Sequence, residues 1–402
     1  MQAYRSQQEK LEFSALTGSC RVAWCGVTRT MSALAPSLRC KASVGDNHTT
    51  PTGVCRRFGL LTDSRCWVAV VCCCVGAYFR TAAHAQNRVV AALAIDDAVA
   101  SHPLLAEERA RFESDGFLVL PNVLSANELE ALSGAMDEWS QYMGGVPEGT
   151  TWHGMTFDKR HDMPLRHVAL VKLLVHPRVF GKIVGILGWN IYCYHAHAMF
   201  TRASSSADAE LTEPSGDHWH QDSGRVNADV EGEPRPRLSV KASFFLTDTT
   251  QPDGPQFWAV PGSHLNNSIA NVHAGATEQP PGATRIPVPA GSVVIIDRRL
   301  WHAGPLGEQP YPRSRKVLFY GFGPRWMRPK DSMATERLLE HVHDPVLRQL
   351  LGDTPTYNGL YSPTARDAPL LDWLDSRGML GERPPVPWEA CDQSSKWIGG
   401  CT

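Results

Sequence analysis

The stretch Gly216-Asp-His-Trp-His-Gln-Asp222 decides how the fold and chemistry of this chain are interpreted. It contains a His-x-Asp pair, His220 and Asp222, and a further histidine, His302, follows far downstream. In an extended strand, side chains two residues apart point to the same side, so His220 and Asp222 can approach one metal ion together. Two imidazoles and one carboxylate on one face of a metal leave positions open for oxygen and a cosubstrate, as in non-haem Fe(II) sites.

The third candidate ligand, His302, follows the apolar stretch Gly291-Ser-Val-Val-Ile-Ile-Asp297 and lies 80 residues after Asp222. That separation leaves room for several strands, and a strand that ends in an inward histidine places a ligand on a rigid element. Arg313 and Arg315 come shortly after it. A guanidinium can bind the distal carboxylate of a dicarboxylate cosubstrate through two hydrogen bonds. The two arginines would share a strand face, so either can serve.

Other histidines offer alternative ligands. His218 and His220 form an H-x-H pair, the start of a cupin-type metal motif, but no glutamate stands at the expected position after it. His264 lies in a Pro-Gly-Ser-His turn, where a structural hydrogen bond is expected. His195 and His197 form a second H-x-H pair, which we expect on a core or pocket wall, with contact to a substrate as the alternative.

The sequence predicts a mainly β protein with flanking helices and a double-stranded β-helix (jelly-roll or cupin-like) core. Short strands follow one another closely without helices between them, which is typical of a closed or double-sheet architecture. The expected strands are 117–120, 191–200, 238–247, 256–260, 284–288, 293–297 and 316–322. The expected helices are 101–114 with Ser101 as N-cap, a capped helix from Ser125, 165–187 divided near Pro177, and a pair in 332–351 broken near Pro345.

Composition limits the partners and the compartment. The 39 Lys and Arg residues balance 41 Asp and Glu residues, so no global charge favours nucleic acid or an anionic membrane. Eight of the 11 cysteines precede residue 75, whereas a disulfide framework would extend over the folded domain. We therefore expect an intracellular, cytoplasmic protein that acts on a small molecule and has no stable membrane span. The sequence does not fix its oligomeric state.

Three regions are expected. Residues 1–100 form an N-terminal extension with the composition of a transit peptide, a disordered segment or a mispredicted start. Its apolar run at 67–79 is too short to span a bilayer comfortably and resembles a signal h-region, so organellar targeting is the alternative to a cytoplasmic location. Residues 101–330 form the catalytic domain, and residues 331–402 form a helical tail rich in Pro and Trp.

An ordered set of motifs between Phe112 and Phe322 carries a family resemblance. The motifs are Phe112-Glu-Ser-Asp-Gly-Phe117, Trp219-His-Gln-Asp222, Leu246-Thr-Asp248, Asp253-Gly254, Val260-Pro-Gly-Ser-His264, Ala290-Gly-Ser-Val-Val-Ile-Ile-Asp297, Trp301-His302 and Arg313. In this order they resemble the phytanoyl-CoA dioxygenase (PhyH) family of Fe(II)/2-oxoglutarate-dependent oxygenases. The resemblance implies that His220, Asp222 and His302 bind iron, and the usual His-to-Arg spacing of the family favours Arg313 over Arg315 for 2-oxoglutarate.

The resemblance also implies the reaction. Fe(II), 2-oxoglutarate and O2 would hydroxylate a small organic substrate with release of succinate and CO2. Asp222 favours hydroxylation over halogenation, because related halogenases replace this carboxylate with a small residue. Two family features are missing: Gly304 replaces a Ser or Thr, and no Lys-Pro segment precedes the motif. The alternative functions are a non-catalytic jelly-roll binding protein and a zinc hydrolase that uses the same three ligands.

Overall fold

A computed structural model describes residues 93–142, 168–201, 203, 213–305, 312–330 and 335–380. The apolar run at 67–79 and nearly all of the expected N-terminal extension lie outside these residues. No helix within the described ranges combines the length and the apolar character needed to cross a membrane.

Eight antiparallel strands form two sheets in the described part of the chain. Their bounds are β1 Phe117–Leu120, β2 Ile191–Thr201, β3 Val240–Phe245, β4 Phe257–Ala259, β5 Thr284–Ile286, β6 Val293–Asp297, β7 His302–Ala303 and β8 Arg315–Pro324. The larger sheet has the order β1-β6-β3-β8-β2, and the smaller has the order β5-β4-β7. From β3 to β8 the chain crosses repeatedly between the two sheets, which is the double-stranded β-helix (jelly-roll) fold expected from the sequence.

Helices flank the sheets. Their bounds are α1 Ala106–Asp115, α2 Ala126–Tyr142, α3 Val168–Lys172, α4 Pro177–Leu187, α5 Gly224–Asp229, α6 Glu336–Leu339, α7 Pro345–Leu350 and α8 Pro369–Asp375. The main core lies between the helices and the larger sheet, where Phe180 of α4 packs on Phe322 with 6.2 Å between ring centroids. Alternation along β3 sends Ala242 and Phe244 into this core and leaves the intervening side chains for the space between the sheets.

The first helix begins later than the sequence predicts. Instead of a helix capped by Ser101, a short 3-10 turn ends at Ser101, and α1 starts at Ala106. Pro103 explains the break, because a proline disfavours helical geometry in the residue before it. The predicted end of the helix is confirmed, since Gly116 closes α1 in the left-handed region with a φ of 82°.

The C-terminal helices join the main core. Leu338, Val346 and Leu350 are buried in the same cluster as the larger sheet. The Gln349 amide donates hydrogen bonds to the carbonyls of Trp189 and Ile191, at 2.9 and 3.1 Å, and so attaches α7 to the start of β2. The predicted break near Pro345 is confirmed, because Pro345 is the first residue of α7.

We predict that Gly116→Ala destabilises the fold by about 1–3 kcal/mol, because a non-glycine residue is strained at this φ. An added Cβ would also lie 2.5 Å from the Nδ1 atom of His264. Urea unfolding monitored by circular dichroism measures the change. Gly134→Ala in α2 is the control, because nothing lies within 4 Å of its added Cβ. The control should be neutral or slightly stabilising, and equal losses in the two variants would contradict the prediction.

Candidate metal centre

His220 and His302 are held side by side by their own backbones. The amide of each residue donates a 3.0 Å hydrogen bond to the carbonyl of the other, which forms an isolated antiparallel bridge at the edge of the smaller sheet. The ring centroids lie 4.5 Å apart. The Asp222 amide donates to the Arg298 carbonyl at 2.9 Å and brings the carboxylate to the same place. One ligand atom from each of the three residues lies within 4.8 Å of the others.

Backbone hydrogen bonds orient both imidazole rings. The Nδ1 atom of His302 lies 2.9 Å from the Leu300 carbonyl, and the Nδ1 atom of His220 lies 3.1 Å from the His218 carbonyl. An Nδ1–H group that donates to a carbonyl leaves the Nε2 lone pair for a metal. Burial lowers the pKa of His302 to about 3, with a further contribution from His220, so His302 is neutral, as a ligand must be.

The third ligand, Asp222, is ionised although it is only 9 % exposed. Burial alone would raise the pKa of its carboxyl group, but the Lys241 ammonium, followed by His302 and His220, lowers this pKa well below its ordinary value. Lys241 forms an ion pair with the Oδ2 atom, which leaves Oδ1 for a metal. The Asn227 amide fixes the backbone by donating to the Asp222 carbonyl at 2.9 Å. Two neutral imidazoles and one carboxylate therefore fit Fe(II).

A cavity of about 510 Å³ lies between the sheets and opens beside these three residues. Its lining combines polar side chains with aromatic and aliphatic ones, namely Met199, Phe245, Phe257, Val294, Ile296 and Phe319. The volume lies in the range of small-molecule sites. The cavity can therefore hold a cosubstrate and a small organic molecule next to the three candidate ligands.

The two candidate arginines lie in different environments. Arg315 is 2 % exposed and lines the cavity, with its guanidinium 5.2 Å from the centroid of the Phe245 ring. The Arg313 side chain is 54 % exposed, and its Nε lies 3.4 Å from the Oδ1 atom of Asp253 at the surface. The expectation that they share a strand face is wrong, because β8 begins at Arg315 and Arg313 belongs to the preceding turn.

The remaining candidate histidines take other positions. His218 is exposed and its Nδ1 lies 2.7 Å from the Ser215 carbonyl, so the structure does not bring it to the three ligands. The Nε2 atom of His264 lies 3.2 Å from the Glu113 carbonyl, in the structural role expected for it. His195 stacks on His197 with 4.3 Å between centroids, and His197 lines the cavity. Burial lowers the pKa of both imidazoles well below the ordinary value.

Sequence reasoning missed Lys241, which faces the cavity from β3. The stretch Val240-Lys-Ala-Ser-Phe-Phe245 is otherwise apolar apart from Ser243, and both polar residues fall on the face opposite Ala242 and Phe244. This alternation could have identified Lys241 as an inward lysine. Phe245 at the end of β3 also lines the cavity. Tyr320 faces the helices instead, where its hydroxyl donates to the Leu170 carbonyl at 2.8 Å.

Comparison with known proteins gives a matching family model and dioxygenases of similar sequence. Residues 112–306 match the model of the phytanoyl-CoA dioxygenase (PhyH) family. Ectoine dioxygenase from Stutzerimonas stutzeri is 25 % identical over 247 residues, which cover 54 % of this chain and 76 % of that protein. Ectoine dioxygenase from Nocardia farcinica is 24 % identical over 239 residues, which cover 54 % of this chain and 77 % of that protein.

Solved structures give weaker similarity. HygX from Streptomyces hygroscopicus with nickel and 2-oxoglutarate bound is 17 % identical and aligns with a TM-score of 0.42, over 56 % of this chain and 90 % of that chain. The non-haem α-ketoglutarate-dependent epimerase SnoN from nogalamycin biosynthesis is 20 % identical and aligns with a TM-score of 0.38, over 57 % of this chain and 86 % of that chain.

The matched region contains the strands of both sheets up to β7 and the three residues that the fold brings together. Residues 112–306 are a phytanoyl-CoA dioxygenase (PhyH) family domain, and the protein is a non-haem iron, 2-oxoglutarate-dependent dioxygenase that uses Fe(II), 2-oxoglutarate and O2.

Proposed function

We propose that this protein hydroxylates a C–H bond of a small organic molecule and converts 2-oxoglutarate to succinate and CO2. The observation that carries the proposal is the convergence of His220, Asp222 and His302 beside a cavity that is also lined by a buried arginine. The cavity volume of about 510 Å³ suits a small substrate next to the cosubstrate. The similarity to ectoine dioxygenases supports a small-molecule substrate without naming it.

The three ligands have defined roles in this proposal. The Nε2 atoms of His220 and His302 and the free Oδ1 atom of Asp222 would hold Fe(II). Bound Fe(II) couples the decarboxylation of 2-oxoglutarate to the insertion of oxygen into a C–H bond. The chain itself fixes the direction of the ligands, because each imidazole is oriented through its Nδ1 atom and the carboxylate is oriented through Lys241. Asp222 fills the position at which a halide would have to bind, so the set favours hydroxylation.

We assign the distal carboxylate of 2-oxoglutarate to Arg315 rather than to Arg313. The guanidinium of Arg315 is buried against Phe245 and Met199, and a charge-assisted pair with a carboxylate is stronger there than at a hydrated surface. The strand register places Lys241 opposite Gly321, six residues along β8 from Arg315, so the backbones of the two residues are about 20 Å apart. Both side chains line the cavity, with the Lys241 ammonium over the Phe319 ring and the Arg315 guanidinium beside the Phe245 ring.

We predict that His220→Ala and Asp222→Ala each abolish succinate formation and weaken metal binding by at least about 100-fold, because one of three protein ligands is lost. Anaerobically purified protein loaded with Fe(II) and incubated with 2-oxoglutarate and a pooled metabolite extract provides the assay. His218→Ala is the control, since this neighbouring side chain is exposed and should retain both properties. Wild-type turnover by the His220 variant, or tight zinc binding without any 2-oxoglutarate dependence, would contradict the proposal.

A second prediction separates the two arginines. Arg315→Leu should weaken 2-oxoglutarate binding by about 100-fold, the size expected when a charge-assisted pair is lost from a buried position. Arg313→Leu is the matched control and should change the dissociation constant less than twofold, because its charge is exposed and paired with Asp253. Calorimetric titration of the nickel-loaded protein with 2-oxoglutarate measures both. If the Arg313 variant were the weaker binder, the assignment would return to Arg313.

A further inference from the structure

We infer that the substrate carries an anionic group, a carboxylate or a phosphate, which Lys241 and Lys330 bind at the mouth side of the metal centre. The inference rests on the proposed function and adds the chemical class of the substrate. It starts from the charges that line the cavity.

Cationic side chains outnumber carboxylates around the cavity. Among the described lining residues, Lys241, Arg315 and Lys330 are cationic, and Asp222 is the one carboxylate. Fe(II) and 2-oxoglutarate carry charges of equal size and opposite sign, so their joint binding supplies no further counter-charge for the two lysines. Lys241 is buried, and a buried ammonium that shares its counter-charge with a metal is costly. A bound anion would remove that cost.

Lys241 is the cation most affected by metal binding. Its side chain is buried, lies over the Phe319 ring with 5.6 Å from Nζ to the centroid, and pairs with the Asp222 carboxylate. When Asp222 also coordinates a divalent cation, its negative charge is shared between two positive partners. Lys241 then lies close to the metal with only part of a counter-charge, and a substrate anion next to it would restore the balance.

The position of the two lysines matches the route of a substrate. Lys330 and Gly224 are the exposed members of the lining and mark the mouth of the cavity. Lys241 is buried and paired with Asp222, so it lies next to the three candidate ligands. A molecule that enters past Lys330 therefore has one lysine at the mouth and a second beside the metal centre.

His197 adds a neutral group on the same wall. It is 7 % exposed and stacks on Phe319 with 4.4 Å between centroids. The charges of Lys241 and Lys330 both reach His197 and, after burial and the neighbouring His195, help to lower its pKa. The imidazole is therefore uncharged, and the two lysines supply the positive charge on this side of the cavity.

The test measures anion binding to protein loaded with nickel and 2-oxoglutarate, which cannot turn over. Acetate and methyl phosphate are the anionic probes, and acetamide is the neutral probe of matched size. Calorimetry should show that at least one anion binds and that acetamide does not bind. The anion with the higher affinity shows whether a carboxylate or a phosphate is the preferred group. Equal affinity for acetate and acetamide, or no binding of either anion, would overturn the inference.

Lysine variants locate the anion. Lys241→Met and Lys330→Met should each weaken binding of the preferred anion by at least about tenfold, as expected for one lost charge-assisted contact. Lys172→Met, an exposed lysine of α3 outside the cavity, should leave the affinity unchanged. If the Lys241→Met substitution disturbs Asp222, the anion affinity of the Lys330→Met variant decides the outcome, because Lys330 is exposed at the mouth of the cavity. Unchanged anion affinity in Lys330→Met would exclude this site. Absence of 2-oxoglutarate binding to the metal-loaded protein would instead refute the proposed function.

Discussion

The reciprocal backbone hydrogen bonds between His220 and His302 are the constraint on which the metal centre depends. They join a loop before β3 to the short strand β7, so two ligands that are distant in sequence become neighbours in one ladder. Backbone pairing fixes the Cα positions before any metal binds, and the carbonyls of His218 and Leu300 then fix the rings. The fold itself thus brings these side chains together, and a metal bound by them would not have to supply the energy to assemble the site.

A buried network stabilises the turn that delivers His302. The carboxylate of Asp297, at the end of β6, accepts hydrogen bonds from the Arg299 backbone and side chain, at 2.9 Å each from N and Nε, and from Arg237 Nε at 2.6 Å. Arg237 continues to Glu113 on α1, which connects the turn to the helical layer. Because Asp297 is fully buried, replacing either arginine alone would leave its carboxylate, five residues before His302, with one charged partner instead of two. The network therefore holds in place the turn that positions His302.

The fold and the three candidate ligands were predicted from patterns that each span only a few residues. These patterns are strand alternation, the H-x-D spacing and the apolar strand before His302, which lies 80 residues after Asp222. The structure brings the three residues together. Arg315 required the structure, since the choice between two arginines depends on where β8 begins, and a turn can shift that point by two residues. Lys241 was missed for a different reason: its pairing with Asp222 is a contact between residues 19 positions apart on different elements. The late start of α1 was missed because Pro103 was not weighed against Ser101.

In the proposed site, the Lys241–Asp222 pair would link the state of the metal to the affinity for an anion. Without metal, the lysine compensates a buried carboxylate that would otherwise cost several kcal/mol. A metal held by Asp222 would take over part of that compensation and leave the ammonium to a new partner. A substrate anion would then bind better to the metal-loaded protein than to the metal-free protein, and by reciprocity it would strengthen metal binding by the same factor. One buried ion pair can thus favour the order in which metal precedes substrate, without any movement of the sheets.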